Sequence, residues 1–336
     1  MGLRSFSEGK RVGQSCRNCG SDRAKVSHDG LVAPFFLKRV HGIEVDSVGQ
    51  KLDTFLATSR SRIKKTIVRW FRDWVRKVEG PQSGILATPD VRTDLRVCPD
   101  CQFVGPHRDY PFEQLRGLYQ DYRSEAYDAE RCRFEPWYRE LRERVGKASE
   151  EESVRLRLIE ERLARHADHS KIHRVMDWGG GEGRFVPPSL RDKEVWILDV
   201  SDEPLVNPAF RRVDEPPSGV TYQFVQICHV LEHVCSPKAF VAGILPLLDP
   251  GALVYVELPQ DRTDAQIQAL VDGAADFRHA LHEHLNLYSA RSLRSLAESL
   301  GLEVLEIESR AMDFGWTRAQ VICGLFRVPT TTAEAG

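Results

Sequence analysis

Four cysteines fall in two identical spacings, Cys16-Arg-Asn-Cys19 and Cys98-Pro-Asp-Cys101. Two such turns can supply four thiolates to one tetrahedral zinc ion. The 78 residues between the pairs are too many for a zinc ribbon read from spacing alone. The local context, Cys19-Gly20-Ser and Cys101-Gln-Phe, is that of strand-turn knuckles, so structural zinc is the leading reading. A redox dithiol pair and four unpaired thiols are the alternatives. Four thiolates leave no position for a substrate, so such a metal would staple a small core and not catalyse. Cys132, Cys228, Cys235 and Cys323 are scattered, and no apolar leader marks the N-terminus as secretory, so disulfides are not expected.

A second constellation is Asp177-Trp-Gly179-Gly-Gly181-Glu-Gly183, after the short apolar run Arg174–Met176. Glycines let the backbone turn tightly and approach a ligand, since no Cβ intervenes. A nicotinamide fingerprint needs a glycine five positions after Gly179, and Arg184 stands there. The spacing is D-x-G-x-G-x-G, expected to run from a strand into a loop that opens a helix. Asp199 ends the next apolar run, 22 residues after Asp177, where a carboxylate would accept hydrogen bonds from ribose hydroxyls.

The histidines come in two groups. Cys228-His229-Val-Leu231-Glu232-His233-Val234 follows the run from Tyr222, and Leu281-His282-Glu283-His284-Leu-Asn286-Leu-Tyr288-Ser289 precedes a helical pattern. His229-x-x-Glu232-His233 also fits a zinc-protease motif, which belongs on a long helix and not at a strand end. Read without further context, both groups could be helix-start residues lining a cleft.

The glycine loop, Asp199 and the two histidine stretches together resemble class I S-adenosylmethionine-dependent methyltransferases. With the N-terminal cysteine unit and a tyrosine-rich helical segment, the whole resembles deoxysugar C-methyltransferases. The resemblance implies a Rossmann-like α/β fold, a seven-stranded, mostly parallel sheet with its last strand antiparallel. It implies that Asp177, Gly179, Gly181 and Gly183 hold the methionine part of S-adenosylmethionine and Asp199 its ribose. Val200 would pack on the adenine, with His229 and Leu231 lining the donor cleft. It further implies that Tyr119, Tyr122 and Tyr127 contact a sugar, nucleotide sugar or glycan. Methyl transfer needs in-line alignment and removal of the acceptor's proton. His284 is the expected general base, oriented by Glu283, with His233 as second candidate. C- and O-methylation both stay open. The competing readings are a zinc-containing RNA methyltransferase and a non-catalytic methyltransferase-like binding protein.

The elements that must position these residues divide the chain in four. Residues 1–110 form the zinc-binding unit, interrupted by a basic insert at about 53–79. Residues 111–170 form a helical connector or lid, 171–329 the catalytic domain, and 330–336 a disordered tail. Val195–Val200, Tyr222–Cys228, Ala252–Leu258, Leu302–Ile307 and Gln320–Val328 read as strands, with helices at Phe240–Leu248 and Ala290–Leu300 between them. Between Ser59 and Glu79, Ile63, Ile67, Trp70, Trp74 and Val78 recur at helical spacing, and eight cations face two acids. That pattern fits either a helix packed on the protein or one lying on a membrane surface.

The 336 residues carry a net charge of −2, which hides +6 on residues 1–170 and −8 on residues 171–336. An acidic catalytic half disfavours nucleic acid as partner. No apolar run reaches the ~20 residues that span a bilayer. A cytoplasmic protein is expected, in peripheral contact with the inner membrane face if the basic helix lies there.

Overall fold

The computed structural model describes residues 15–43, 92–122, 124–135, 138–144, 149–314 and 317–330. The basic insert and the last six residues lie outside them.

Two sheets organise the chain. The first strands are β1 (Lys25–Val32), β2 (Arg92–Val97) and β3 (Val104–Pro106), joined as an antiparallel meander. Helix α1 (Pro34–His41) follows β1, with proline in its first turn, where no N–H is needed, and Gly42 ending it at φ +66°. A helical segment comes next: α2 (Phe112–Arg116), α3 (Glu125–Phe134), α4 (Tyr138–Arg144) and the long α5 (Ser149–His166).

The second sheet is built from β4 (Arg174–Trp178), β5 (Glu194–Leu198), β6 (Arg211–Val213), β7 (Tyr222–Cys228), β8 (Leu248–Pro259), β10 (Glu303–Asp313) and β11 (Arg318–Arg327). Between these strands run α6 (Pro237–Ile244), α7 (Asp264–Asp272), the short strand β9 (His279–Leu281) and α8 (Ala290–Ser299). The order is β10-β11-β8-β7-β4-β5-β6. Strands β4 to β8 are parallel, and β11 is antiparallel to both neighbours. The expected seven-stranded mixed sheet is therefore present.

Strand periodicity places alternate residues on opposite faces. Val225 and Ile227 of β7 with Val254, Val256 and Leu258 of β8 face one core, covered by Val241 and Ile244 of α6 and Leu293, Leu296 and Ala297 of α8. Phe224, Leu253 and Tyr255 face the other, covered by Leu158, Ile159 and Leu163 of α5. Burying each such side chain contributes roughly 1.5–3 kcal/mol. Gln223 fastens the sheet's start, its Oε1 accepting the N–H groups of His173 (3.1 Å) and Arg174 (2.8 Å).

One expectation fails here. No α-helix follows the glycine loop; only a 3₁₀ turn, Pro188–Leu190, lies between β4 and β5. The reason is local. Pro187 and Pro188 fall where the helix would extend, and proline both lacks the N–H and clashes with the preceding turn.

The small sheet has the order β3-β2-β1-β9. Its fourth strand comes from the C-terminal half: β9 pairs parallel with β1, Gly30 opposite His279 and Val32 opposite Leu281. A third core, with Phe35, Phe36 and Leu37 of α1, Ile267 and Leu270 of α7, and Leu281, Leu285 and Leu287, fills the space around it. No helix among the described residues is long and apolar enough to cross a membrane.

A buried ion pair locks α5 to the sheet. Arg155 Nε lies 2.6 Å from Glu257 Oε1, and Glu257 is fully buried. The guanidinium also stacks on Phe185 at 3.6 Å from the ring centroid. Removing the cation would leave a carboxylate uncompensated in the core. Arg155→Ala is expected to lower unfolding free energy by about 3–5 kcal/mol in denaturant titration, and a loss below 1 kcal/mol would refute this role for the pair.

Candidate active site

The glycine loop leaves the C-terminal end of β4, where ligands of open α/β sheets bind. Gly179, Gly181 and Gly183 all have positive φ, at +75°, +55° and +79°. At Gly179 a Cβ would lie 2.4 Å from Val230, and at Gly180 one would lie 2.3 Å from Asp177 Oδ2. At Gly181 nothing lies within 4 Å, so the loop's crest is open. Asp199 holds this crest: its Oδ2 accepts the Gly181 N–H (2.8 Å) and its Oδ1 the Ser201 N–H (2.7 Å). Each carboxylate oxygen keeps a second lone pair for a ligand hydroxyl. Val200 beside it is 64% exposed.

Two residues expected to touch the donor do not reach open space. Asp177 is buried beneath the loop, against Gly180, and supports it from below. Leu231 is fully buried in the core, and its carbonyl accepts from Asn286 Nδ2 (2.8 Å) and Tyr288 Oη (3.3 Å). His229 sits at φ +55° at the end of β7, its ring between Glu232 (3.3 Å) and Glu257 (3.1 Å). That left-handed conformation is uncommon for histidine.

The other histidine stretch follows β9 directly. Its backbone is clasped to the 231–234 turn: the N–H groups of Leu285 (2.7 Å) and Asn286 (3.1 Å) donate to the Glu232 carbonyl. Asn286 Nδ2 reaches the carbonyls of Leu231 and Val234, at 2.8 and 2.7 Å. Leu287 pairs with Val104 of β3. The two histidine motifs, fifty residues apart, so share one wall. His233 and His284 have ring centroids 5.0 Å apart, and Tyr119 lies 5.8 Å from His233.

The expected acid–base set needs correction. Glu283 does not orient His284, because both its oxygens bind Arg131, at 2.8 and 2.9 Å. Burial works against its charge, but Arg131 holds the carboxyl well below the usual range. Asp261, just beyond β8, accepts from His284 Nδ1 at 2.7 Å instead. Burial disfavours the imidazolium, yet Asp261 outweighs it and lifts His284 to about 9. In that state His284 carries its proton at neutral pH and is no base. Burial keeps His233 neutral, its Nδ1 2.7 Å from the Glu283 carbonyl.

Among the tyrosines, Tyr119 and Tyr122 stack edge to face at 5.7 Å, and the Tyr119 hydroxyl is buried without a hydrogen-bond partner. Tyr127 is not available to a substrate. It is fully buried against Phe35, Tyr122 and Tyr138 and serves as packing.

The four N-terminal cysteines converge as expected. The Cys16–Cys101 and Cys19–Cys98 sulfur distances are 3.7 and 3.9 Å, and all four sulfurs lie within 4.8 Å of one another. The pairs flank β1 and β2, whose antiparallel pairing closes the long gap. Zinc–sulfur bonds of about 2.3 Å set tetrahedral sulfurs about 3.8 Å apart, so the donor set fits such an ion.

Sequence reasoning missed Asp261, Arg131 and any role for Glu232. Asp261 could have been found as an acid following a strand's C-terminal end. Arg131, in mid-helix among many arginines, carried no signal.

The family model for a methyltransferase domain matches residues 122–307, more than half of the chain. The chain belongs to that family and is an S-adenosylmethionine-dependent methyltransferase. Among solved structures it is similar to the Burkholderia thailandensis 1,6-didemethyltoxoflavin-N1-methyltransferase, at 15% identity and TM-score 0.45, over 69% of this chain and 98% of that one. A Clostridium acetobutylicum S-adenosylmethionine-dependent methyltransferase matches at 10% identity and TM-score 0.37, over 57% and 96%. The magnesium protoporphyrin IX methyltransferase of Synechocystis PCC 6803 matches at 14% and 0.37, over 52% and 83%. No curated protein matches the chain.

Two measurements probe the donor side. Asp199→Ala removes the acceptor of the Gly181 N–H and of the ribose, so calorimetry is expected to show donor affinity reduced at least tenfold; an unchanged affinity would exclude that role. Asp177 gives a pH signature. Burial pushes its carboxyl up to about 7, against the partial compensation of a hydrogen bond from Gln226. A carboxyl raised on folding stabilises below its unfolded value near 4, and this contribution is lost as pH rises through 7. Asp177→Asn should therefore gain on the wild type between pH 5 and 8.5, by roughly 2–3 kcal/mol. A pH-independent difference in denaturant midpoint would contradict it.

Proposed function

We propose that this methyltransferase acts on a polyhydroxylated acceptor, a sugar, nucleotide sugar or glycan. The observation that carries the reading is the wall formed by Glu232, His233 and His284 with the unpartnered Tyr119 hydroxyl beside it. The neutral imidazole of His233 beside the Glu232 carboxylate suits removal of a proton from a weakly acidic hydroxyl or an activated C–H. Tyrosine rings suit a sugar face, and the Tyr119 hydroxyl can bond its oxygens. The sulfonium is already a strong electrophile, so the protein's task is alignment and deprotonation. His233 is the candidate proton acceptor, and His284, held by Asp261, serves alignment beside it.

We further assign zinc to Cys16, Cys19, Cys98 and Cys101, as a structural ion. The assignment is supported by sulfur spacings that match a tetrahedral set. The ion would brace the end of the β1–β2 pair, and β1 in turn carries β9 and the His282–His284 segment.

The acceptor reading is tested by incubating the protein and donor with a panel of nucleotide sugars and glycans, with mass spectrometry of the products. A mass gain of one methyl group on a panel member is expected. Demethylated donor appearing with RNA and with no sugar would overturn it. In the same assay His233→Ala and His284→Ala should each reduce turnover at least a hundredfold while calorimetric donor affinity stays within about twofold. Equal loss of donor binding would place these residues on the donor side. For the metal, Cys98→Ser is expected to lower zinc content by one equivalent and to reduce the thermal midpoint, and an unaltered zinc content would refute the assignment.

A further inference from the structure

We propose that Glu232, His233 and His284 form a second metal site, binding one divalent cation of the zinc class that holds the acceptor oxygen. The inference deepens the acceptor reading and rests on it for what the cation does, not for its binding.

The donor atoms of the three side chains lie within 4.8 Å of one another. His233 Nε2 is 3.7 Å from Glu232 Oε1, a spacing that small side-chain rotations close onto a cation. Both imidazoles are already tied at their other nitrogen. His233 Nδ1 lies 2.7 Å from the Glu283 carbonyl, so it carries the proton and donates it there, and Nε2 keeps its lone pair. His284 Nδ1 lies 2.7 Å from the Asp261 carboxylate, and a cation bound at the other ring nitrogen would take the place of the proton that His284 otherwise carries. A carboxylate or carbonyl behind each imidazole is the arrangement that fixes the tautomer and aim of metal-binding histidines.

Glu232 supplies the independent observation. It is fully buried; its Oε1 lies 3.3 Å from His229 Nδ1 and 3.7 Å from His233 Nε2, and its Oε2 has no hydrogen-bond partner. Its backbone carbonyl is spent on Leu285 and Asn286, so the side chain is held in place with Oε2 unbonded. Its neighbours are imidazoles and not guanidinium or ammonium groups. Arg131 is engaged by Glu283 and Glu135, and Arg155 by Glu257. Among the described residues Glu232 and Asp261 have no arginine or lysine within salt-bridge distance. Burial disfavours a carboxylate that no fixed cation meets, and a divalent ion removes that deficit.

Two imidazole nitrogens and one carboxylate oxygen select a borderline first-row cation over calcium or magnesium and leave coordination positions open. An acceptor hydroxyl in such a position becomes more acidic. It loses its proton to water, and its oxygen takes the methyl carbon. The carbon–sulfur electrons stay on sulfur, and S-adenosylhomocysteine leaves. The imidazoles then act as ligands and not as bases.

The test uses the full chain with its cysteine site saturated with zinc. Titration with cobalt(II), followed by visible absorption, is expected to show one further equivalent without thiolate charge-transfer bands. Glu232→Gln and His284→Ala should lose that equivalent. Asp261→Asn, which touches only the back of His284, should weaken it 10- to 100-fold. Donor calorimetry on each variant reports that the fold is intact. Absence of a second equivalent in the wild type, or its persistence in Glu232→Gln, overturns the site. Sugar methylation that survives complete chelation overturns the cation's role but keeps the acceptor reading. Cobalt binding with no sugar methylated does the reverse.

Discussion

The Glu232 carbonyl, accepting from Leu285 and Asn286, is the contact on which the acceptor wall depends. It joins the turn after β7 to a segment fifty residues further on, and Asn286 reinforces it through the carbonyls of Leu231 and Val234. None of these groups could stay buried unpaired, since each would cost free energy comparable to a lost hydrogen bond. The two histidine motifs are therefore fixed by bonds to backbone carbonyls, from the Leu285 and Asn286 N–H groups, the Asn286 side chain and His233 Nδ1. That rigidity is what a site needs if its imidazoles are to keep one separation and one tautomer.

The clasp is itself held from the N-terminal side. Strand β9 ends at Leu281, directly before the His282–His284 segment, and lies against β1. The cysteine turns stand at the far end of the β1–β2 pair, docked on α8 through Asn18, whose Nδ2 donates to the Ser292 carbonyl at 2.8 Å. The cysteine unit thus does more than append a small domain. It completes the sheet from which the proposed acceptor wall hangs, so the zinc proposed there would act on that wall's geometry from a distance.

This explains what could be read from the residues and what could not. Strand β7 was legible to its ends, because a run of β-formers between polar turns admits little else, and β8 and β11 were legible in their apolar middles. Asp199 and the glycines were legible because backbone chemistry restricts those positions to few residue types. The missing helix after the loop was written in Pro187 and Pro188, yet the glycine pattern outweighed them. Strand β9 is three residues long and has no periodicity to detect. Partnerships were the least legible feature. Glu283 adjoins His284 in sequence, but both its oxygens are taken by Arg131, so the orienting acid came from Asp261 across the fold.

The same distinction separates the charges that stabilise from those that work. Arg131 with Glu283 and Glu135, and Arg155 with Glu257, are closed sets: each buried carboxylate meets a guanidinium. Such pairs roughly break even against apolar packing, so their value is positional, holding Glu283 away from His284 and Glu257 beneath His229. Glu232 and Asp261 stand between the two sets without a fixed cation. Asp261 recruits the proton of His284, which leaves Glu232 as the one acid of this wall whose partner must be sought outside the chain's arginines and lysines. Beside the closed Arg131 and Arg155 sets, Glu232 keeps its Oε2 unbonded at this wall, and a buried charge left open next to two imidazoles is the kind of place a ligand occupies.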